Sequence, residues 1–226
     1  MTTQLVVTAD GSHTLLNEAL NVHYHSIHGA LQESLHIFID LGLKEAFKQY
    51  TPQNGPILVF EMGFGTGLNA FLTWLEAEKS HIPVHYVAVE AFPVAIQQQQ
   101  LLNYEGVLNA AHFSQLFEAP WGEAVQISPF FSLEKHHTTL QAFQTTWRFD
   151  AVYYDAFAPS AQPELWTQDI FEKLVQWLKQ GSNLTTYCSK GYVQRNLKAA
   201  GFEIQKHPGP GRKREVLRAI FSDFQV

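Results

Sequence analysis

Residues 57–69 read Ile-Leu-Val-Phe-Glu-Met-Gly-Phe-Gly-Thr-Gly-Leu-Asn, an apolar run, an acid and three alternating glycines in immediate succession. Ile57, Leu58, Val59 and Phe60 form the continuous apolar stretch of a strand covered on both faces of a parallel sheet. Gly63, Gly65 and Gly67 permit a sharp turn and the close approach of a ligand to bare backbone. A run of helix formers follows from Leu68 and Asn69 through Leu75. Strand, glycine turn and helix in that order mark a nucleotide-like cofactor site on an α/β fold.

The glycine spacing narrows the ligand. Dinucleotide sites use G-x-G-x-x-G, so that a pyrophosphate sits on the helix N-terminus; here the spacing is G-x-G-x-G. Glu61, two residues before the first glycine, would repel a diphosphate and suits a cationic ligand. The segment resembles motif I of the Rossmann-like S-adenosylmethionine methyltransferases, whose cofactor carries a sulfonium and an amino group but no phosphate. Glu61, Gly63, Phe64, Gly65, Thr66, Gly67 and Asn69 are therefore expected to form one wall of an S-adenosyl-L-methionine site.

Residues 1–54 read as an N-terminal appendage. Leu5–Thr8 and His13–Leu16 form a hairpin about Asp10-Gly11, and a helix carries Leu31, Leu35, Ile37 and Phe38. From residue 55 to 226 strands and helices alternate. Strands are expected at Val84–Glu90, Phe149–Asp155 and Asn183–Cys188, with shorter ones near Val125 and Phe130. Helices are expected over Pro93–Leu102, Thr167–Lys179 with Gly181 as its stop, and Gly191–Ala200. Gly201–Lys206 and Val216–Phe221, joined by only a Gly/Pro loop, must pair antiparallel. The expected architecture is a doubly wound, mostly parallel sheet of the class I methyltransferase type with an antiparallel last strand, plus the small appendage.

Functional groups fall at the carboxyl ends of these strands, where such sheets bind ligands. Glu90 lies where an acid can hydrogen-bond ribose hydroxyls. Asp155 opens the turn Asp155-Ala-Phe-Ala-Pro-Ser160; an acid there can accept a hydrogen bond from an amine and orient its lone pair. Phe157 and Trp166 are candidates to stack on a flat base, although core packing is the simpler role for Trp166. His23, His25 and His28 have no cysteine or carboxylate cluster beside them, and no metal site is assigned.

The net charge of −6 does not advertise a polyanion binder; the distribution partly reverses that, since Lys190, Arg195, Lys198, Lys206, Arg212, Lys213, Arg214 and Arg218 crowd the C-terminal portion, although a run such as Arg212-Lys213-Arg214 is more often a solvated loop. One cysteine, Cys188, suits a reducing cytoplasm. No apolar stretch is long enough to span a bilayer, and the N-terminus lacks the features of a signal peptide.

Four motifs together are more specific than any one. Tyr24-His-Ser-x-x-Gly-Ala-x-x-Glu-Ser34, Gly63-Phe-Gly-Thr-Gly-Leu-Asn69, Asp155-Ala-Phe-Ala-Pro159 with Pro163-Glu-Leu-Trp166, and Gly209-x-Gly-Arg-Lys-Arg-Glu215 resemble, in order, the methyltransferase domain of the MnmC family and its stand-alone relatives. The resemblance implies methyl transfer from S-adenosylmethionine to the exocyclic amine of 5-aminomethyl-(2-thio)uridine at the tRNA wobble position. It matches Asp155 to the family's acid near the amine, and the glycines with Glu90 to its cofactor site. Pro159, Lys190, Arg195, Arg212, Lys213 and Arg214 join Phe157 and Trp166 as candidate tRNA-binding positions. No second glycine fingerprint of a flavin oxidase domain is found, so a separate enzyme is expected to supply the aminomethyl group. Where many family members carry Gly-Asp near the adenine, this chain has Lys135-His-His-Thr-Thr139, which leaves that contact unassigned. Two alternatives stay open: a methyltransferase of a small-molecule or protein amine, and a non-catalytic S-adenosylmethionine- or RNA-binding module. The glycine spacing disfavours an NAD-linked oxidoreductase.

Overall fold

A computed structural model describes residues 3–211 and 213–222; Arg212, a candidate tRNA contact, lies outside the described residues. Strands β1 (Thr3–Val7), β2 (His13–Asn17) and β3 (Val22–His23) form a small antiparallel sheet, with the Asp10-Gly11 turn between β1 and β2. Helix α1 (Ala30–Ser34) runs into a π-helical stretch, Leu35–Leu43, and then α2 (Lys44–Phe47). There follow β4 (Ile57–Met62), α3 (Leu68–Ser80), β5 (Val84–Glu90), α4 (Ile96–Gln99), α5 (Tyr104–Leu108), α6 (Gln115–Glu118), β6 (Ala124–Ser128), β7 (Phe131–His137) and β8 (Phe149–Tyr154). The chain ends with α7 (Gln168–Val175), β9 (Leu178–Thr186), α8 (Gly191–Ala199), β10 (Phe202–Pro208) and β11 (Glu215–Phe221).

The large sheet has the order β10-β11-β9-β8-β4-β5-β7-β6. Its centre is parallel, and β11 lies antiparallel between β9 and β10, as the short loop before it demands. Alternation along β4 divides the core. Val59 faces Ile37, Phe38, Phe71 and Trp74 on one side, and Leu58 and Phe60 face Phe171, Trp177, Val193 and Leu197 on the other. Helices thus cover both faces, the doubly wound arrangement.

The helical segment after the small sheet packs directly on the large one. A Cβ on Gly42 would stand 3.1 Å from Thr185 Oγ1 and 3.2 Å from the Tyr153 ring. The Gly42 carbonyl accepts a hydrogen bond from Asn183 Nδ2 at 3.2 Å. Glycine therefore sets the distance at which this helix meets β8 and β9.

Two helices are shorter than their sequence pattern suggests. The stretch Pro93–Leu102 is helical only over Ile96–Gln99. The amphipathic helix of residues 167–179 ends at Val175, because Trp177 and Leu178 leave it to enter the core, Trp177 against Phe60 and Phe143. Gly181 is then not a helix stop but part of β9. Its φ of 79° lies where the register against β8 jumps from Phe149↔Leu178 to Ala151↔Asn183, so the extra residues bulge out of the ladder.

Phe60 is fully buried among Phe143, Phe149 and Trp177. Phe60→Ala is expected to lower unfolding free energy by about 3–5 kcal/mol in chemical denaturation, without altering the residues of the ligand cleft.

Candidate active site

The ladder of the parallel sheet continues one residue past three strand ends. Met62 pairs with Val89 on β5 and with Tyr154 on β8. Beyond them the Gly63 N–H donates to Val89 O at 3.0 Å, and the Asp155 N–H donates to Met62 O at 3.1 Å. This brings the glycine turn, Glu90 and Asp155 to one edge. An open cleft lies there, lined by the glycine turn, Glu90, Asp155 and Phe157.

Gly63, Gly65 and Gly67 all have positive φ, at 92°, 50° and 75°. Side chains there would also collide: a Cβ on Gly63 would stand 3.0 Å from Asp155 O, and one on Gly65 3.1 Å from the Tyr24 ring. The floor of the cleft is therefore backbone. Glu90 closes one end, its Oε2 accepting from Gly65 N–H at 3.0 Å and its Oε1 from Phe92 N–H at 2.9 Å. With a further bond from the Ala91 N–H, the carboxylate still has capacity to accept from a ligand hydroxyl. Phe64 and Thr66 line the same wall, with Thr66 Oγ1 held 3.0 Å from the Tyr104 hydroxyl.

Glu61 takes a different place from the one its position in the motif suggests. It is 1% exposed and lies beneath the cleft rather than on its surface. Burial pushes its carboxyl well above the usual carboxylate range. Asn69 links it to the acceptor side: Asn69 Nδ2 donates to Glu61 Oε1 at 2.9 Å and to Asp155 Oδ2 at 2.8 Å. Asn69 also lines the cleft, so one amide braces both halves of the site.

Asp155 faces the cleft, and burial pushes its carboxyl up to about 7; Glu33 adds to the rise, while Asn69 and Lys213 oppose it. The loop behind it is pinned at consecutive peptides. Tyr187 Oη donates to Ala156 O at 2.8 Å, Trp166 Nε1 to Phe157 O at 2.9 Å, and Phe157 N–H to Gln162 Oε1 at 3.1 Å. Trp166 is 1% exposed, so it supports this loop from the core and offers no face for stacking. Pro159 is likewise buried. Phe157 does line the cleft, edge-on to Tyr24 with ring centroids 5.0 Å apart.

Leu20, Tyr24 and His25 bring the N-terminal sheet over the opening. Burial pushes the Tyr24 hydroxyl up to about 12, with Glu90 adding to the rise, and lowers His25 to about 4, so both are neutral. These residues stand in or beside a sequence motif, yet nothing local announces that they reach a cleft built by the glycine turn, Glu90 and Asp155. The basic residues divide. Lys190, Arg195 and Arg214 are exposed, whereas Lys213 forms an ion pair with Glu33 and lies 4.5 Å over the Tyr187 ring.

Carboxylates line the cleft, and among its described lining residues there is no lysine or arginine. That charge fits a positively charged nucleoside and opposes a diphosphate. Residues 133–222 match the family of S-adenosyl-L-methionine-dependent methyltransferases. The solved structure of MNMC2 from Aquifex aeolicus superposes with a TM-score of 0.79 at 23% identity, covering 96% of this chain and 69% of that one. Spermidine synthase from Thermotoga maritima shares the fold at a TM-score of 0.54 and 12% identity, covering 98% of this chain and 72% of that one. Fold and site are those of the Rossmann-like class to which S-adenosylmethionine-dependent methyltransferases belong.

Similarity in sequence is narrower than the class. The tRNA 5-methylaminomethyl-2-thiouridine biosynthesis bifunctional protein MnmC of Magnetococcus marinus is 34% identical over 90% of this chain and 32% of its own length. Its namesake in Pseudomonas entomophila is 32% identical over 88% of this chain and 32% of its own length. The chain is MnmC-like over nearly all of its length, and it spans about a third of the curated relatives it matches.

Glu90→Ala removes the carboxylate that accepts from the glycine turn. A charged hydrogen-bond partner contributes about 1.5–3 kcal/mol, so calorimetry is expected to show S-adenosylmethionine binding weakened by roughly 10–100-fold.

Proposed function

We propose that this chain methylates the exocyclic amine of 5-aminomethyl-(2-thio)uridine at the wobble position of tRNA, giving the methylaminomethyl form. The reading rests chiefly on one observation: Asp155, held to about 7, shares a cleft with the glycine turn and with the aromatic edges of Tyr24 and Phe157. The biosynthesis named for the MnmC relatives supplies the substrate class. The tRNA is bound in the cytoplasm, and a separate enzyme delivers the primary amine.

In this mechanism Gly63, Gly65, Gly67 and Glu90 hold the nucleoside part of S-adenosylmethionine. The cofactor supplies an activated methyl on sulfur, which passes to the amine nitrogen while sulfur keeps the electrons of the broken bond. An ammonium has no lone pair, so the amine must arrive neutral or lose a proton in the site. Asp155 accepts a hydrogen bond from the amine, its carboxyl held in place by the Asn69 amide at Oδ2. Phe157 and Tyr24 flank the base. Lys190, Arg195 and Arg214 hold phosphates, whereas Lys213 is committed to Glu33.

Asp155→Ala is expected to reduce methylation at least 100-fold, within the range for lost acid-base assistance, while calorimetry shows cofactor binding retained. The active form of Asp155 is the carboxylate, so kcat/KM should rise with pH through about 7 and level off above it; a flat profile would remove Asp155 from the proton-accepting role. Changing Lys190, Arg195 and Arg214 together to Ala should flatten the salt dependence of tRNA binding by a log-log slope of about 2–3. Methylation of a free aminomethyl nucleoside as fast as of tRNA would favour a small-molecule substrate instead.

A further inference from the structure

One acid of the first sequence motif and one base of the last remain without a role in the chemistry, and they meet in the fold. Glu33 comes from the first, on α1, and Lys213 from the second, in the β10–β11 loop; the lysine Nζ pairs with Glu33 Oε2. Glu33 is fixed from its own side. Asp10 Oδ2 accepts from Gln32 N–H at 3.0 Å, and a Cβ on Gly29 would stand 2.9 Å from that same oxygen, at a φ of 142°. Lys213 is fixed from the other side. A Cβ on Gly209 would stand 2.6 Å from both Lys213 Cβ and Lys213 O, and Lys213 N–H donates to Pro210 O at 3.1 Å. The motif glycines thus serve to aim one acid and one base at each other.

The pair reaches the Asp155 loop through Tyr187. Lys213 Nζ lies over the ring of Tyr187, whose hydroxyl holds the Ala156 carbonyl immediately after Asp155. The Glu33 side chain is 8% exposed and that of Lys213 33%. Mostly buried ion pairs of this kind are a weak source of stability, since apolar replacements often hold a fold as well. We propose that Glu33 and Lys213 are positioning residues of the acceptor half-site, a paired acid and base that close the cleft behind Asp155 and set the charge state it presents to the amine.

The groups facing Asp155 come from every element packed around it. Burial raises the Glu61 carboxyl on β4 well above its usual range and keeps the Tyr86 phenol on β5 neutral, and Asn69 on α3 donates a hydrogen bond. Tyr187, after β9, is also neutral, and His25 of the N-terminal sheet stays uncharged near Lys213. Glu33 and Lys213 are the charged groups of the set. They act on Asp155 in opposite senses, the acid raising it and the base lowering it.

Opposite signs separate this role from simple bracing. The inference rests on the amine-methylation reading, so two measurements are paired: the pH profile of kcat/KM on tRNA, and the ¹³C NMR titration of the Asp155 carboxyl in cofactor-bound protein, assigned with Asp155→Asn. Glu33→Gln is expected to move both midpoints down by about one pH unit, and Lys213→Gln to move them up by a similar amount. The double variant should return near the starting value, and Lys213→Arg should stay there. If Glu33→Gln fails to fold, Lys213→Gln against Lys213→Arg carries the sign alone. Midpoints that stay put or move the same way in both single variants overturn the proposal, even where activity falls. Opposed NMR shifts in a protein that does not methylate tRNA would reject the substrate and keep the pair.

Discussion

The site depends on two backbone hydrogen bonds, Gly63 N–H to Val89 O and Asp155 N–H to Met62 O. They extend the parallel ladder by one residue beyond β4, β5 and β8, so the chain segments that leave those strands start side by side. Only glycine at position 63 permits it, because any Cβ there would press on the Asp155 carbonyl. The glycine turn and the acceptor acid are consequently one rigid construction, braced from beneath by the Asn69 amide shared between Glu61 and Asp155. Precise placement of two reactants is the main resource of an enzyme whose electrophile is already activated.

Electrostatics then sorts the ligands. A cleft lined by carboxylates and neutral aromatics favours a cationic nucleoside, while exposed Lys190, Arg195 and Arg214 lie outside it. The segment after β3 lays Tyr24 and His25 over the opening, and α1 carries Glu33 to Lys213. Burial raises Asp155 toward neutrality, where a modest field suffices to move its charge state across the working range.

Much of this was legible in the chain. The apolar run of β4, the glycines, Glu90 and Asp155 each occupy a strand end, and periodicity locates strand ends well in a parallel sheet. The antiparallel β11 followed from the length of a loop. Boundaries set by tertiary contact were not legible. Helix α7 stops early because Trp177 is drawn to Phe60 and Phe143, and Gly181 lies in a bulge rather than at a helix end. Trp166 and Lys213 had the composition of ligand contacts, but one is a buried support and the other an ion-pair partner.

Alone, the sequence determined the fold class, the glycine turn and the strand ends that bear function, because each depends on local periodicity or glycine conformation. Only the tertiary structure decided that Glu61 lies beneath the cleft, that Asn69 joins its two halves, and that Glu33 and Lys213 meet beside Asp155. Those facts depend on which side chains the sheet brings together across 86 and 180 residues of chain, and no local pattern encodes a distance of that kind.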